Sequence, residues 1–104
     1  KIKQKDYQLA LEYAERAYVV APSLAQIVDT YGYALLKAKK FDQSQEVLKK
    51  AYEMAPMITD IRLHLAELFI LQGKQDDAQA LLSSIKPKSP SEKVLIENLL
   101  EKLK

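Results

Sequence analysis

The chain of 104 residues has no cysteine, one histidine and only two glycines. Without cysteine it can form neither a disulfide nor a thiolate metal site, and it has no cysteine nucleophile. No apolar run approaches the roughly 20 residues that a transmembrane helix needs. A surplus of one charge is also missing, because 16 basic and 14 acidic residues give a net charge of +2. This balance argues against nucleic acid or an anionic membrane as the main partner.

Side chains with catalytic or metal-binding chemistry are equally sparse. His64 and Glu67 are three residues apart, so a helix would place them on one face, where they could share a proton or a metal. A catalytic zinc needs about three protein ligands, and the chain has no further histidine or cysteine to supply them. The sequence also lacks a nucleophile elbow and a glycine-rich phosphate loop. We therefore expect no enzyme activity, no metal and no cofactor.

Proline is the residue whose spacing is informative. Pro22, Pro56 and Pro90 stand 34 residues apart, and the segment AYVVAP at residues 17–22 returns as AYEMAP at residues 51–56. A fixed period of this length is typical of stacked repeat proteins. Such repeats form extended binding surfaces more often than active sites.

The pattern within each period is helical, because apolar residues recur at helical spacing almost throughout. The predicted helices span residues 6–20, 24–38, 42–55, 59–72, 75–86 and 90–103. Gly73 can take a left-handed conformation and end the fourth helix. Ser89 and Glu92 form a capping box around Pro90, which marks the start of the last helix. Short turns between the helices favour antiparallel neighbours.

Small residues at fixed positions, together with the closing prolines, make the chain resemble the tetratricopeptide repeat family. In the segment 25–58 the family's packing positions hold Val28, Tyr31, Gly32, Leu35, Phe41, Ser44, Leu48, Ala51 and Pro56. The small side chains Gly32 and Ala66 would face the partner helix, where Ala10, Ser44 and Ala78 answer them. Val28 and Arg62 stand where the family often has tryptophan.

The resemblance implies an all-α fold, an α-solenoid of antiparallel helix pairs with a C-terminal capping helix. We expect one domain over residues 1–104, divided into the second helix of a truncated repeat (1–22), full repeats at 25–58 and 59–89, and the capping helix (90–104). Because the chain starts in mid-repeat, we expect it to be a fragment of a longer protein. Leu9 and Tyr13 would then lie on an uncapped N-terminal edge, which could support self-association.

The family's partners are proteins or peptides, and they commonly lie in a concave groove lined by the first helices of successive pairs. Transferred by position, the resemblance implies that the groove consists of Gln26, Asp29, Thr30, Tyr33, Leu36, Lys37, Asp60, Leu63, His64, Glu67, Ile70 and Leu71. One subclass grips the C-terminal carboxylate of chaperone tails with lysine and asparagine. Here Asp29 and Glu67 are among the residues at those positions, and their charge would repel a carboxylate. An apolar or weakly basic segment suits the groove better.

Two functions remain open. The first is a non-catalytic protein-interaction or scaffold module that binds a peptide or helix in the groove. The second is a structural C-terminal cap of a longer solenoid whose binding surface lies upstream. Residues 27–35 and 60–66 also resemble the last repeats of bacterial tetratricopeptide lipoproteins, including those associated with PEP-CTERM sorting and exopolysaccharide export. That likeness would imply a bacterial protein of the cell envelope, with the cytoplasm as the other possible location.

Overall fold

The structure is a computed structural model that describes residues 4–103, and these form six helices and no strand. The helices are α1 (Gln4–Val20), α2 (Ala25–Lys37), α3 (Phe41–Met54), α4 (Thr59–Leu71), α5 (Gln75–Ser83) and α6 (Pro90–Glu101). All six predicted helices are therefore confirmed. The largest difference is at the end of α5, which stops at Ser83 rather than at residue 86. Pro87 follows closely and disfavours helical backbone in the residue before it.

The turns after α2 and α4 each contain a residue with left-handed backbone conformation. Gly73 has φ +78° and Lys39, which lies 34 residues earlier, has φ +64°. After α4, the Lys74 N–H donates to the Phe69 carbonyl at 2.8 Å and the Gly73 N–H to the Ile70 carbonyl at 3.1 Å. These two bonds satisfy carbonyls that a helix end otherwise leaves unpaired. The predicted role of Gly73 is confirmed.

The capping box of α6 is also present. Ser89 is the N-cap, and its hydroxyl accepts a hydrogen bond from the Glu92 N–H at 3.2 Å. The Glu92 carboxylate accepts from the N–H of Lys88 at 2.8 Å, one residue before the position that the motif predicts. The bond to Ser89 uses a donor that the first turn would otherwise leave free, and the bond from Lys88 fixes the residue before the N-cap.

Helices α2 and α3 cross closely at Gly32. A Cβ atom on Gly32 would lie 2.7 Å from two side-chain atoms of Leu48, so only glycine fits without movement. The Ser44 hydroxyl donates to the Gly32 carbonyl at 2.7 Å from a fully buried position. In the next repeat Ala66 and Ala78 are buried at the matching positions. Ala10, at the equivalent position of α1, is exposed, because no described helix covers that side of α1.

Each helix packs against the next one in the chain, and α2 also packs against α4. This contact between the first helices of successive pairs is the pattern of a helical solenoid. One cluster of buried residues joins α2 to α5, and it consists of Leu36, Leu48, Leu65, Leu68, Phe69 and Ala78. A second cluster joins α4 and α5 to α6, and it consists of Leu63, Ala66, Leu82, Ile85, Ile96 and Leu99. Helix α6 thus contributes to the core, although Val94 and Leu95 on its surface remain exposed.

Candidate functional site

The face shared by α2 and α4 carries a polar network that joins the two repeats. Nδ1 of His64 lies 2.9 Å from both carboxylate oxygens of Asp29. The Tyr33 ring stacks on the His64 ring, with 3.9 Å between the ring centroids and 18° between the planes. Because a carboxylate only accepts hydrogen bonds, Nδ1 must carry the hydrogen, and Nε2 of a neutral His64 ring is then an acceptor.

Glu67 extends this network by one helical turn. Its carboxylate accepts from the Tyr33 hydroxyl at 3.3 Å and from the Lys37 ammonium at 3.3 Å. The Lys37 ammonium also lies 5.0 Å from the centre of the Tyr33 ring, within the range of a cation–π contact. Five side chains from two helices therefore hold one another in place, because Tyr33 links the His64–Asp29 pair to Glu67, which also bonds to Lys37.

The pKa values of two groups in this network are shifted. Burial raises the pKa of the Tyr33 hydroxyl and the Glu67 charge adds to the rise, while Lys37 acts in the opposite direction. Burial alone would lower the pKa of Lys37, but the hydrogen bond with Tyr33 and the charge of Glu67 outweigh it and raise that pKa. The network therefore holds both protons more tightly than water would.

The formal charge of the face is negative. Asp29, Asp60 and Glu67 contribute three carboxylates, and Lys37 contributes the one ammonium group among the residues assigned to the groove. Asp29 is buried and tied to His64, and Glu67 is half-buried and bonded to Lys37. Asp60 is exposed in the first turn of α4.

The structure sorts the twelve residues assigned to the groove into three groups by exposure. Buried are Asp29, Leu36 and Leu63; half-buried are Tyr33, Lys37, His64, Glu67 and Ile70; exposed are Gln26, Thr30, Asp60 and Leu71. Leu36 and Leu63 belong to the two core clusters, so they support the face from beneath and do not form its surface. Leu71 is 53% exposed and Ile70 packs beside the core, which leaves them as the accessible apolar groups of α4.

Arg62 has a structural role that the sequence argument did not assign. Its Nε donates to the Pro56 carbonyl at 2.6 Å, and Nη1 donates to the carbonyl and the hydroxyl of Ser84 at 3.1 Å. The guanidinium thus ties the turn before α4 to the end of α5. The sequence contained an indication of this role, because the charged Arg62 occupies the repeat position at which Val28 is buried.

Within residues 4–103 no group of three His, Cys, Asp or Glu side chains could hold a metal ion. His64 and Glu67 share a helix face as predicted, but one bonds to Asp29 and the other to Lys37 and Tyr33. None of the described helices combines the length and the apolar character needed to cross a membrane.

A family model described as tetratricopeptide repeat matches residues 35–103, which is well over half of the chain. Neither a curated protein nor a solved structure matched the chain.

Proposed function

The chain belongs to the tetratricopeptide repeat family, whose members in general mediate protein–protein interaction, and from this premise we propose that the α2–α4 face binds a peptide or helix of a protein partner. The family is typically a non-catalytic interaction module. The proposal therefore concerns which surface binds and which chemistry it prefers.

The observation that carries the proposal is the rigid, half-exposed network on that face. Tyr33 and His64 stack on each other, and Glu67 bonds to both Tyr33 and Lys37, so their positions are set before any partner arrives. Prearranged side chains lose little conformational entropy on binding, which favours affinity. The face also mixes aromatic rings with polar groups, a composition enriched in protein interfaces.

Charge indicates the class of partner. Three carboxylates and one ammonium group give the face a negative balance, so a segment with lysine or arginine next to apolar residues is favoured. The apolar part would contact Leu71, which is half exposed, and the ring of Tyr33. When the His64 ring is neutral, its Nε2 would accept a hydrogen bond from the partner, since Nδ1 is bonded to Asp29. A terminal carboxylate is disfavoured for the same electrostatic reason.

Selection of displayed peptides tests this preference without knowledge of the natural partner. A random peptide library selected on the immobilised chain is expected to enrich lysine, arginine and apolar residues and to lose aspartate and glutamate. The second bait is the double variant Asp60→Lys/His64→Gln, in which the glutamine amide can still donate to Asp29. Peptides selected on the native chain should bind this variant weakly, and their binding should weaken as salt is raised.

A matched control keeps the same charge change on another face. Asp76 is exposed in the first turn of α5, as Asp60 is in the first turn of α4, so Asp76→Lys has the same effect on a helix N-terminus. Circular dichroism confirms that all baits are folded. If the selected peptides bind the double variant and the control equally well, the α2–α4 face is not the binding surface. The alternative function, a structural section of a longer solenoid, would then be favoured.

A further inference from the structure

A groove with a volume of about 480 Å³ lies between α3 and α5, with α4 as its floor. We call it the α3–α5 groove. Its apolar lining consists of Tyr52, Leu65, Phe69, Ala80 and Leu81, and Leu65 and Phe69 are buried. The helical register places Leu65 on the opposite side of α4 from His64 and Glu67. The groove is therefore separate from the α2–α4 face.

The preceding repeat contains the same groove, between α1 and α3, in a filled form. There Tyr31 of α2 stacks on Tyr18 of α1, with 5.0 Å between the ring centroids. The Tyr31 hydroxyl donates to the Glu15 carboxylate at 3.4 Å. The space left in that groove has a volume of only about 130 Å³. Because a shift of 34 residues maps Tyr18 onto Tyr52, a tyrosine ring is the group that fills this groove within the chain.

Two differences between the repeats leave the α3–α5 groove open. Leu65 stands at the position of Tyr31, and Lys49 stands at the position of Glu15. Within the described residues no aromatic ring stacks on Tyr52 as Tyr31 stacks on Tyr18. A ring supplied by another molecule could therefore lie above Leu65 and stack on Tyr52, a contact that contributes beyond the apolar area it buries.

We propose that the α3–α5 groove binds a tyrosine side chain of a protein partner, in a segment that carries lysine or arginine next to that tyrosine. The ring would take the place that Tyr31 takes in the preceding repeat. Its hydroxyl would accept a hydrogen bond from the Lys49 ammonium. The same pairing exists within the chain, since the Lys50 ammonium donates to the Tyr18 hydroxyl at 2.9 Å. Phenylalanine has no such acceptor, and the indole of tryptophan only donates.

The charges at the rim of the groove favour a basic residue beside the tyrosine. Glu53 and Asp77 contribute two carboxylates and Lys49 contributes one ammonium group, and all three residues are exposed. Neither carboxylate forms an ion pair with another residue in the described range 4–103. Lys74 also lies beside the floor of the groove, but its ammonium bonds to Gln45 at 2.9 Å. The rim therefore has a negative balance, which attracts lysine or arginine.

A titration followed by NMR tests the proposal with short synthetic peptides. The probe is acetyl-Lys-Tyr-Lys-amide, added at millimolar concentration to the isotope-labelled chain. Saturable shifts are expected for the backbone amides of Tyr52 and Ala80. Acetyl-Lys-Phe-Lys-amide should bind about fivefold more weakly, because it lacks the hydrogen bond to Lys49. Acetyl-Lys-Leu-Lys-amide, which has no ring to stack on Tyr52, should give no saturable shifts there.

Two variants close the groove from within the chain. Lys49→Glu/Leu65→Tyr recreates the pair that fills the preceding groove, and Ala80→Arg places a guanidinium group at the rim. Ala80 is exposed, so the second variant alters no buried residue and the test does not depend on the folding of the first. Both should lose the shifts at Tyr52. Gln79→Arg carries the same charge on another exposed part of α5 and is the matched control, which should bind as the native chain does.

Three results would overturn the proposal. They are equal binding of the tyrosine and leucine peptides, an absence of saturable shifts at Tyr52, and binding by Ala80→Arg that equals the binding by Gln79→Arg. None of the altered residues is assigned to the α2–α4 face, so the outcome is independent of the proposed function.

Discussion

Replacement of Gly32 by alanine should destabilise the protein even though alanine is the better helix former. In an open helix the change would stabilise by about 1 kcal/mol. Here the new methyl group would lie 2.7 Å from Cγ and Cδ2 of Leu48 and 3.2 Å from its backbone nitrogen. Leu48 is fully buried, so its side chain has little room to move. Overpacking of this kind costs about 1–3 kcal/mol, which leaves a net loss of up to about 2 kcal/mol after the helix gain of about 1 kcal/mol.

Chemical and thermal unfolding followed by circular dichroism measures this loss. For a chain of about 100 residues, 1 kcal/mol corresponds to a fall in Tm of about 4–8 °C. Leu48→Ala should cost about 2–5 kcal/mol alone, but the double variant should be less destabilised than the sum by about 1 kcal/mol, because the clash is relieved. If Gly32→Ala is instead stabilised by the full helix-propensity gain, the close crossing of α2 and α3 is refuted.

Two further predictions concern single side chains. Lys39 holds the left-handed conformation that Gly73 adopts one repeat later, so Lys39→Gly should stabilise by roughly 0.5–1 kcal/mol, and a lower denaturation midpoint would contradict the assigned backbone. The pKa values of Tyr31 and Tyr33 are raised, first by burial and then by neighbouring carboxylates, so the folded state holds these protons more tightly than the unfolded chain. The contribution of these two groups to the free energy of unfolding should therefore be fully present below about pH 10 and be lost as the pH rises through the folded pKa values. Denaturation measured at a series of pH values should show a shallower fall for the double variant Tyr31→Phe/Tyr33→Phe.

Most of the fold could be predicted from the sequence because its signals are local and repeated. Proline spacing gave the period, and Gly73 and Ser89 marked helix ends through backbone conformation and capping, which depend on few neighbours. The early end of α5 was missed because apolar spacing continues to Ile85, which is buried without being helical. Burial and helical backbone are separate properties, and the spacing of apolar residues indicates burial more directly than it indicates helix.

The candidate site was less predictable, because register alone does not determine exposure. Leu36 and Leu63 have the register of groove residues, yet both are buried in the core clusters. The bond between Asp29 and His64 joins residues that are 35 positions apart in the chain, and nothing in the local sequence indicates that their side chains meet. The exposure of Ala10 could not be read from its own helix, since it depends on which helix lies opposite.

The central claim is that the α2–α4 face binds a basic, partly apolar segment, and calorimetric titration of one selected peptide tests it most directly. The native chain and Asp76→Lys should bind the peptide with the same Kd. Asp60→Lys/His64→Gln should bind it at least about tenfold more weakly, a loss of about 1.4 kcal/mol. An equal Kd for all three folded proteins would contradict the claim and move the binding surface away from α2 and α4.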